Sequence, residues 1–221
     1  MSLEILDISV VVLARFHNPT VLHLDFLKRE GIVPKDWQED LGACITSLPF
    51  AAVKFTNGFS VTVEPNKLQV IDPSPPVDCR DSAAPTIAGK YVKTLPHVLY
   101  TAVGINLTGF VPKEKAKEYL VNRFLREGPW GEKPLNLSGF SAVLAFQLTD
   151  ATVRFTFDSA KIDRGGTGER EGLVVKANYH SDIAGENTAS ALTETTRLIE
   201  TSRDRCDHFL SVGPSLLGLG A

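Results

Sequence analysis

The feature that most constrains this chain is that its two halves run through the same order of elements. In the first half, ISVVVLARF (8–16) alternates as a strand does and places Ile8, Val10, Val12, Ala14 and Phe16 on one face. Asn18-Pro19 supplies a helix cap with proline at the first helical position, so a helix is expected to run to Glu30, with Gly31 as its left-handed terminator. AAVKFTNGFSVTVEP (51–65) reads as a hairpin. A three-residue loop, Thr56-Asn57-Gly58, sets Phe55 opposite Phe59 and Val53 opposite Val61. LQVID (68–72) completes a three-stranded meander, the proline-rich 72–85 is a loop, and a short helix is expected around Thr86 to Leu95.

From His97 the order repeats. HVLYTAVGINLTGF (97–110) is a long strand, and Val111-Pro112 leads into the helix KEKAKEYLVNRFLRE, stopped by Gly128, with Ala116, Leu120 and Phe124 on one face. A second meander follows: GFSAVLAFQL, a turn around Thr149-Asp150, ATVRFTF with Val153, Phe155 and Phe157 pointing one way, and GLVVKANYH (172–180). Asn187 then caps a long amphipathic helix with an apolar stripe through Leu192, Thr195, Ile199, Cys206 and Phe209 or Leu210. Glu194 with Arg197, and Glu200 with Arg203, are spaced to pair on its wet side.

Register marks strengthen the correspondence. Pro19 and Pro112 lie 93 positions apart, as do Thr56 and Thr149, while Val61 and Phe155 lie 94 apart, which implies a second turn one residue longer. FLKREG (26–31) and FLREG (124–128) would mark two helix ends. The expected fold is α+β: a mostly antiparallel sheet built from two β-α-β-β-β-α pseudo-repeats, 1–95 and 96–221, in one continuous globular domain with helices packed on one face. At the level of topology this resembles the saddle of TATA-binding-protein-like folds, or a helix-grip sheet wrapped around its last helix. No motif carries that resemblance to a function.

Composition then removes classes of function. Lysine and arginine number 23 against 26 acidic residues, for a net charge of -3, without the basic excess that phosphate-backbone binding needs. The longest apolar run, VVVLA (10–14), is far short of the roughly 20 residues that span a bilayer, so no membrane helix is expected. MSLEILDISVVV lacks the pattern of a signal peptide, and a cytoplasmic location is the expectation. The three cysteines, Cys44, Cys79 and Cys206, fit neither a disulfide framework nor a zinc ribbon, so reduced thiols are expected; Cys79 beside Arg80 reads as an exposed, unpartnered thiol.

Catalytic patterns are weak. In the His180-Ser181-Asp182 string, neighbours on a strand point to opposite faces and cannot form a triad. RGGTGER (164–170) lies between strands, outside the strand-to-helix context of a phosphate loop, and reads as a hairpin tip. Neither HExxH nor CxxC occurs, so no metal and no cofactor is expected. The carboxylates Asp158, Asp163, Glu169 and Glu171 read as solvated groups around a long hairpin.

The strongest feature outside the core is a polar sheet face. Lys54, Ser60, Thr62, Glu64, Thr152, Arg154, Thr156, Lys176 and Asn178 share it if the two meanders are continuous. Arg154, Lys176, Asn178, Lys54 and Thr62, with Arg164 and Arg170 of the long hairpin, are the candidate contact residues. The expected function is a non-enzymatic interaction or assembly module that takes a protein partner or a second copy. The rival is a small-molecule-binding protein or enzyme with a cavity lined by Phe140, Phe146, Phe155 and Phe157. Nucleic-acid binding has only the saddle analogy behind it.

Overall fold

The computed structural model describes residues 3–75, 78–131, 137–163, 168–185 and 187–219. Its strands are β1 (Glu4–Ala14), β2 (Ile45–Thr46), β3 (Ala51–Lys54), β4 (Ser60–Glu64), β5 (Lys67–Asp72), β6 (Tyr100–Pro112), β7 (Ser141–Gln147), β8 (Thr152–Ile162) and β9 (Arg170–Asp182). The helices are α1 (Leu24–Arg29), α2 (Ala84–Thr94), α3 (Ala116–Phe124), α4 (Thr188–Glu200) and α5 (Ser202–Leu217). All the strands join one nine-stranded antiparallel sheet in the order β2-β3-β4-β5-β1-β6-β9-β8-β7, and the fold is α+β.

Period-two alternation fixes which face is covered. β1 and β6 pair at the centre with Ile8 opposite Leu107, Val10 opposite Ile105 and Val12 opposite Val103, all six buried. Val61, Val63, Leu68 and Val70 continue that face on one side, and Val153, Phe155, Phe157, Val175 and Tyr179 on the other. Onto it pack Ile87, Tyr91 and Val92 of α2, Leu120 of α3, Leu198 and Ile199 of α4, and Phe209 of α5. The hydrophobic effect, at about 25 cal/mol per Å2 buried, drives the helices to this face. Nothing equivalent draws them to the other.

The first hairpin forms as its residues dictate. Gly58 takes φ +92, the Phe55 N–H donates to the Phe59 carbonyl, and Val53 faces Val61. The second turn corrects the expectation, being shorter rather than longer. Gln147 pairs with Thr152 and the Leu148 N–H donates to the Ala151 carbonyl, which leaves only Thr149 and Asp150 in the loop. The strand partner of Phe146 is Val153, two residues before the position that matches Val61 by sequence. A slip of two residues keeps every side chain on its face, so alternation alone cannot detect it.

Helix ends depart from the sequence reading for local reasons. Asn18 caps only a single 3-10 turn, Pro19–Val21. The chain then extends to bury Leu22, and α1 starts afresh with the His23 ring accepting from the Phe26 N–H. Gly31 does adopt the left-handed conformation, φ +65. Pro112 belongs to β6 rather than to a helix, and α3 begins at Ala116, whose N–H donates to the Glu171 carboxylate at 3.0 Å. It ends at Phe124, with Leu125 extended, so Gly128 is not its terminator. The final helix is two, broken at Thr201, where the Thr201 hydroxyl donates to the Leu198 carbonyl. Asn187 caps α4 in a capping box with Ser190. Glu194 pairs with Arg197 at 2.7 Å as expected, whereas Glu200 sits 4.0 Å from Lys93 instead of pairing with Arg203.

Candidate interaction surface

The face without helices is built from the positions between the core residues. A transverse row runs Lys54, Ser60, Ile71, Ser9, Asn106, Asn178, Arg154, from β3 to β8. Six strand spacings of about 4.8 Å make the row about 29 Å long. The two meanders do not touch; β1 and β6 lie between them. The polar row survives the crossing because the Asn178 amide donates to the Asn106 side-chain carbonyl, and the Asn106 amide donates to the Ser9 hydroxyl at 3.2 Å. The sequence reading put Ser9 on the face away from the core but left both Ser9 and Asn106 out of the polar surface. Their signal was a polar residue inside an apolar strand, GINL and ISVV, at a position facing away from the core.

The candidate contact residues separate into groups. Lys54, Arg154, Lys176 and Asn178 are exposed, and Thr62 is half-buried beside Gln69. Lys176 is paired with Asp158 at 3.3 Å. Lys54 and Arg154 enter no ion pair among the described residues, which leaves a solvated cation near each end of the row. Arg170 is not a free contact: it pairs with Glu4 at 3.1 Å, and its guanidinium lies 5.4 Å from the Phe110 ring centre. That stacking and pairing fix the far end of β9 against the start of β1. Arg164 lies outside the described residues.

His180 and Asp182 share this face, with Nε2 and Oδ1 3.1 Å apart, while Ser181 points to the other side and is buried. The string therefore cannot align a nucleophile with a base. Of the four aromatic residues read as cavity lining, Phe155 and Phe157 are fully buried. Phe155 contacts the rings of Phe157, Tyr179 and Phe209, and Phe124 stacks on Phe157. Those rings fill their space rather than line it. Phe146 is 39% exposed and Phe140 only partly buried. A cleft of about 520 Å3 lies elsewhere, between α3 and the segment after it, with Lys117, Asn122, Arg126 and Trp130 among its walls.

Beneath the β9 end of the sheet is a polar cluster that sequence reasoning did not assemble. Tyr179 Oη lies 2.9 Å from His208 Nδ1, and Arg205 donates to Asp150 at 2.5 Å with its guanidinium 5.6 Å from the Tyr179 ring centre. Burial and the Arg205 charge hold His208 below the usual histidine pKa, and burial raises the Tyr179 phenol. His17, buried beside the Tyr100 ring, is likewise held low by desolvation; its Nε2 reaches the Val12 carbonyl at 3.3 Å. Both rings favour the neutral form in the fold. A pKa lower in the folded state means that the unfolded chain binds more protons, so this stability is complete above about 6.5 and is lost as pH falls through the folded values. The melting temperature is expected to fall between pH 7.5 and 5.5, and His17→Gln should flatten that slope. An unchanged slope in both His17→Gln and His208→Gln would remove this assignment.

Among the described residues no group of three or more histidine, cysteine, aspartate or glutamate side chains is placed to hold a metal ion, and no helix is long and apolar enough to cross a membrane. No protein-family model matches the chain, and no curated protein or solved structure shows significant similarity to it.

Proposed function

We propose that this chain is a non-enzymatic interaction module that docks a protein partner on its helix-free sheet face. The observation that carries this reading is the row from Lys54 to Arg154. It is a mainly polar strip, broken only by Ile71, about 29 Å long at six strand spacings of about 4.8 Å, hydrogen-bonded at its centre through Ser9, Asn106 and Asn178, with a cation near each end that enters no ion pair among the described residues. A partner with carboxylates at matching spacing would gain charge-assisted hydrogen bonds at both ends and amide contacts between them. In this reading the chain is a doubled β-α-β-β-β-α unit, residues 1–95 and 96–221, whose saddle presents one continuous face. The strand order, which reads outward from the β1–β6 pair as β5-β4-β3 on one side and β9-β8-β7 on the other, supports that doubling.

Lysine-directed cross-linking in the native cell extract, followed by peptide mapping, tests the reading. Cross-links from Lys54 and Lys176 to a partner are expected, and Lys54→Glu with Arg154→Glu should weaken that partner's binding tenfold or more, about 1.4 kcal/mol, at unchanged melting temperature. Cross-links confined to the helical side, or binding indifferent to both charge reversals, would overturn it. Light scattering over a concentration series distinguishes a second copy of the chain from a different protein.

A further inference from the structure

Cys79 is neither exposed nor alone. It begins the 3-10 turn Cys79–Asp81 that closes the proline-rich loop and packs on α5, and both it and Cys206 of α5 are buried. The segments that carry them are clamped together from outside. Arg80 donates to Asp78 through Nε at 2.7 Å and to Asp207 through Nη1 at 3.0 Å, so the residue after Cys79 grips the residue after Cys206. A second anchor lies within the loop, where buried Asp72 accepts from the Ser82 hydroxyl at 2.7 Å and Ser82 in turn accepts from the Ala84 N–H. Both thiols are free, and the turn that carries Cys79 packs directly on the helix that carries Cys206.

We propose that Cys79 and Cys206 form a redox-active dithiol that hydrogen peroxide oxidises to an intramolecular disulfide. The Cys79 thiolate attacks one peroxide oxygen; the S–O bond forms, the O–O bond breaks, and the departing hydroxide takes up the proton released by Cys79 to leave as water. The Cys206 sulfur then attacks the Cys79 sulfenic acid, forming the S–S bond and breaking the S–O bond, and the second hydroxide leaves as water with the Cys206 proton. Two thiols are oxidised and one peroxide is reduced to two waters. The order of roles follows from the surroundings. Cys79 lies in a loop turn directly before the Arg80 guanidinium, which favours a thiolate, whereas Cys206 lies inside α5 directly before the Asp207 carboxylate, so Cys79 is the thiolate and Cys206 the resolving partner. Burial favours a small oxidant: each thiol-bearing residue is only 1% exposed. The bond would join the loop to the last helix across 127 positions of sequence. Cys44, held by the Asp40 and Lys54 backbone on the far side of the sheet order, takes no part.

The test is thiol counting on the full chain. After hydrogen peroxide treatment and alkylation, one alkylated cysteine, Cys44, is expected instead of three, together with a Cys79–Cys206 cross-linked peptide that dithiothreitol abolishes. In Cys206→Ser, Cys79 should instead be captured by a sulfenic-acid probe such as dimedone; in Cys79→Ser, Cys206 should remain unlabelled. Three alkylated cysteines after treatment, an intermolecular disulfide through Cys44, or Cys79 driven to sulfinic acid in the wild-type chain without the cross-link would each overturn the proposal. The wild-type measurement stands even if a variant fails to fold.

Discussion

Phe155→Ala is expected to destabilise the protein by about 3–5 kcal/mol, the range for deleting a buried phenylalanine and leaving its cavity. For a chain of this size that corresponds to a fall of roughly 6–20 °C in melting temperature. The size follows from position. Phe155 is fully buried in the middle of β8, with the rings of Phe157 and Phe209 nearly parallel to it and those of Phe146, Tyr179 and His208 around it. Five rings from four elements cannot collapse into the space without moving α5 relative to the sheet. The neighbouring Phe146→Ala removes a ring of the same size at the sheet edge, 39% exposed, and should destabilise by about 1 kcal/mol. Urea denaturation of both variants checks the contrast; equal losses would show that the ring cluster is not the centre of the second half's core.

The second large effect is expected at Asp150. Its carboxylate accepts from Arg205, whose side chain is 90% buried, and lies 3.7 Å from Arg197. Asp150→Ala leaves the Arg205 guanidinium buried without its anion, a loss of about 2–4 kcal/mol, below the usual range for a broken buried pair because Asp150 is itself 31% exposed. The Glu194–Arg197 pair on the solvent side of α4 should contribute under about 1 kcal/mol by comparison. Arg205→Met combined with Asp150→Ala removes both charges and keeps an unbranched apolar stem in the buried site, so the double variant should be more stable than Asp150→Ala alone. An Asp150→Ala chain within about 0.5 kcal/mol of wild type would contradict this. The pH dependence has a definite sign. Arg205 beside Asp150 holds its carboxyl below the usual range, so the contribution is present above about 3.9 and is lost as pH falls through the lower folded value. Asp150→Asn should remove that part of the acid transition.

Much of the scaffold was legible because alternation and turn chemistry act over a few residues. Val53 opposite Val61 follows from Asn57-Gly58, and the inward set Val153, Phe155 and Phe157 follows from its spacing. The helix ends were less legible because distant groups decide them. Glu171, 55 positions away, caps α3, so Pro112 and Gly128 are not the boundaries that their residue types suggest. The candidate surface was half legible. Lys54, Arg154, Lys176 and Asn178 fall outward by parity, but nothing local says that Arg170 is consumed by Glu4 or that Ser9 and Asn106 bridge the meanders.

What the sequence by itself determined is most of the strands, the face each of them buries, and the overall charge balance, because each depends on period, propensity or a sum over residues. What only the tertiary structure decided is every pairing across the chain: β1 beside β6, Asp150 with Arg205, Tyr179 with His208, and Cys79 against Cys206. The reason is that a strand's parity survives a slip of two residues and a helix's stripe survives a shift of its ends. Only the packed sheet and its helices then bring residues 127 positions apart, such as Cys79 and Cys206, together.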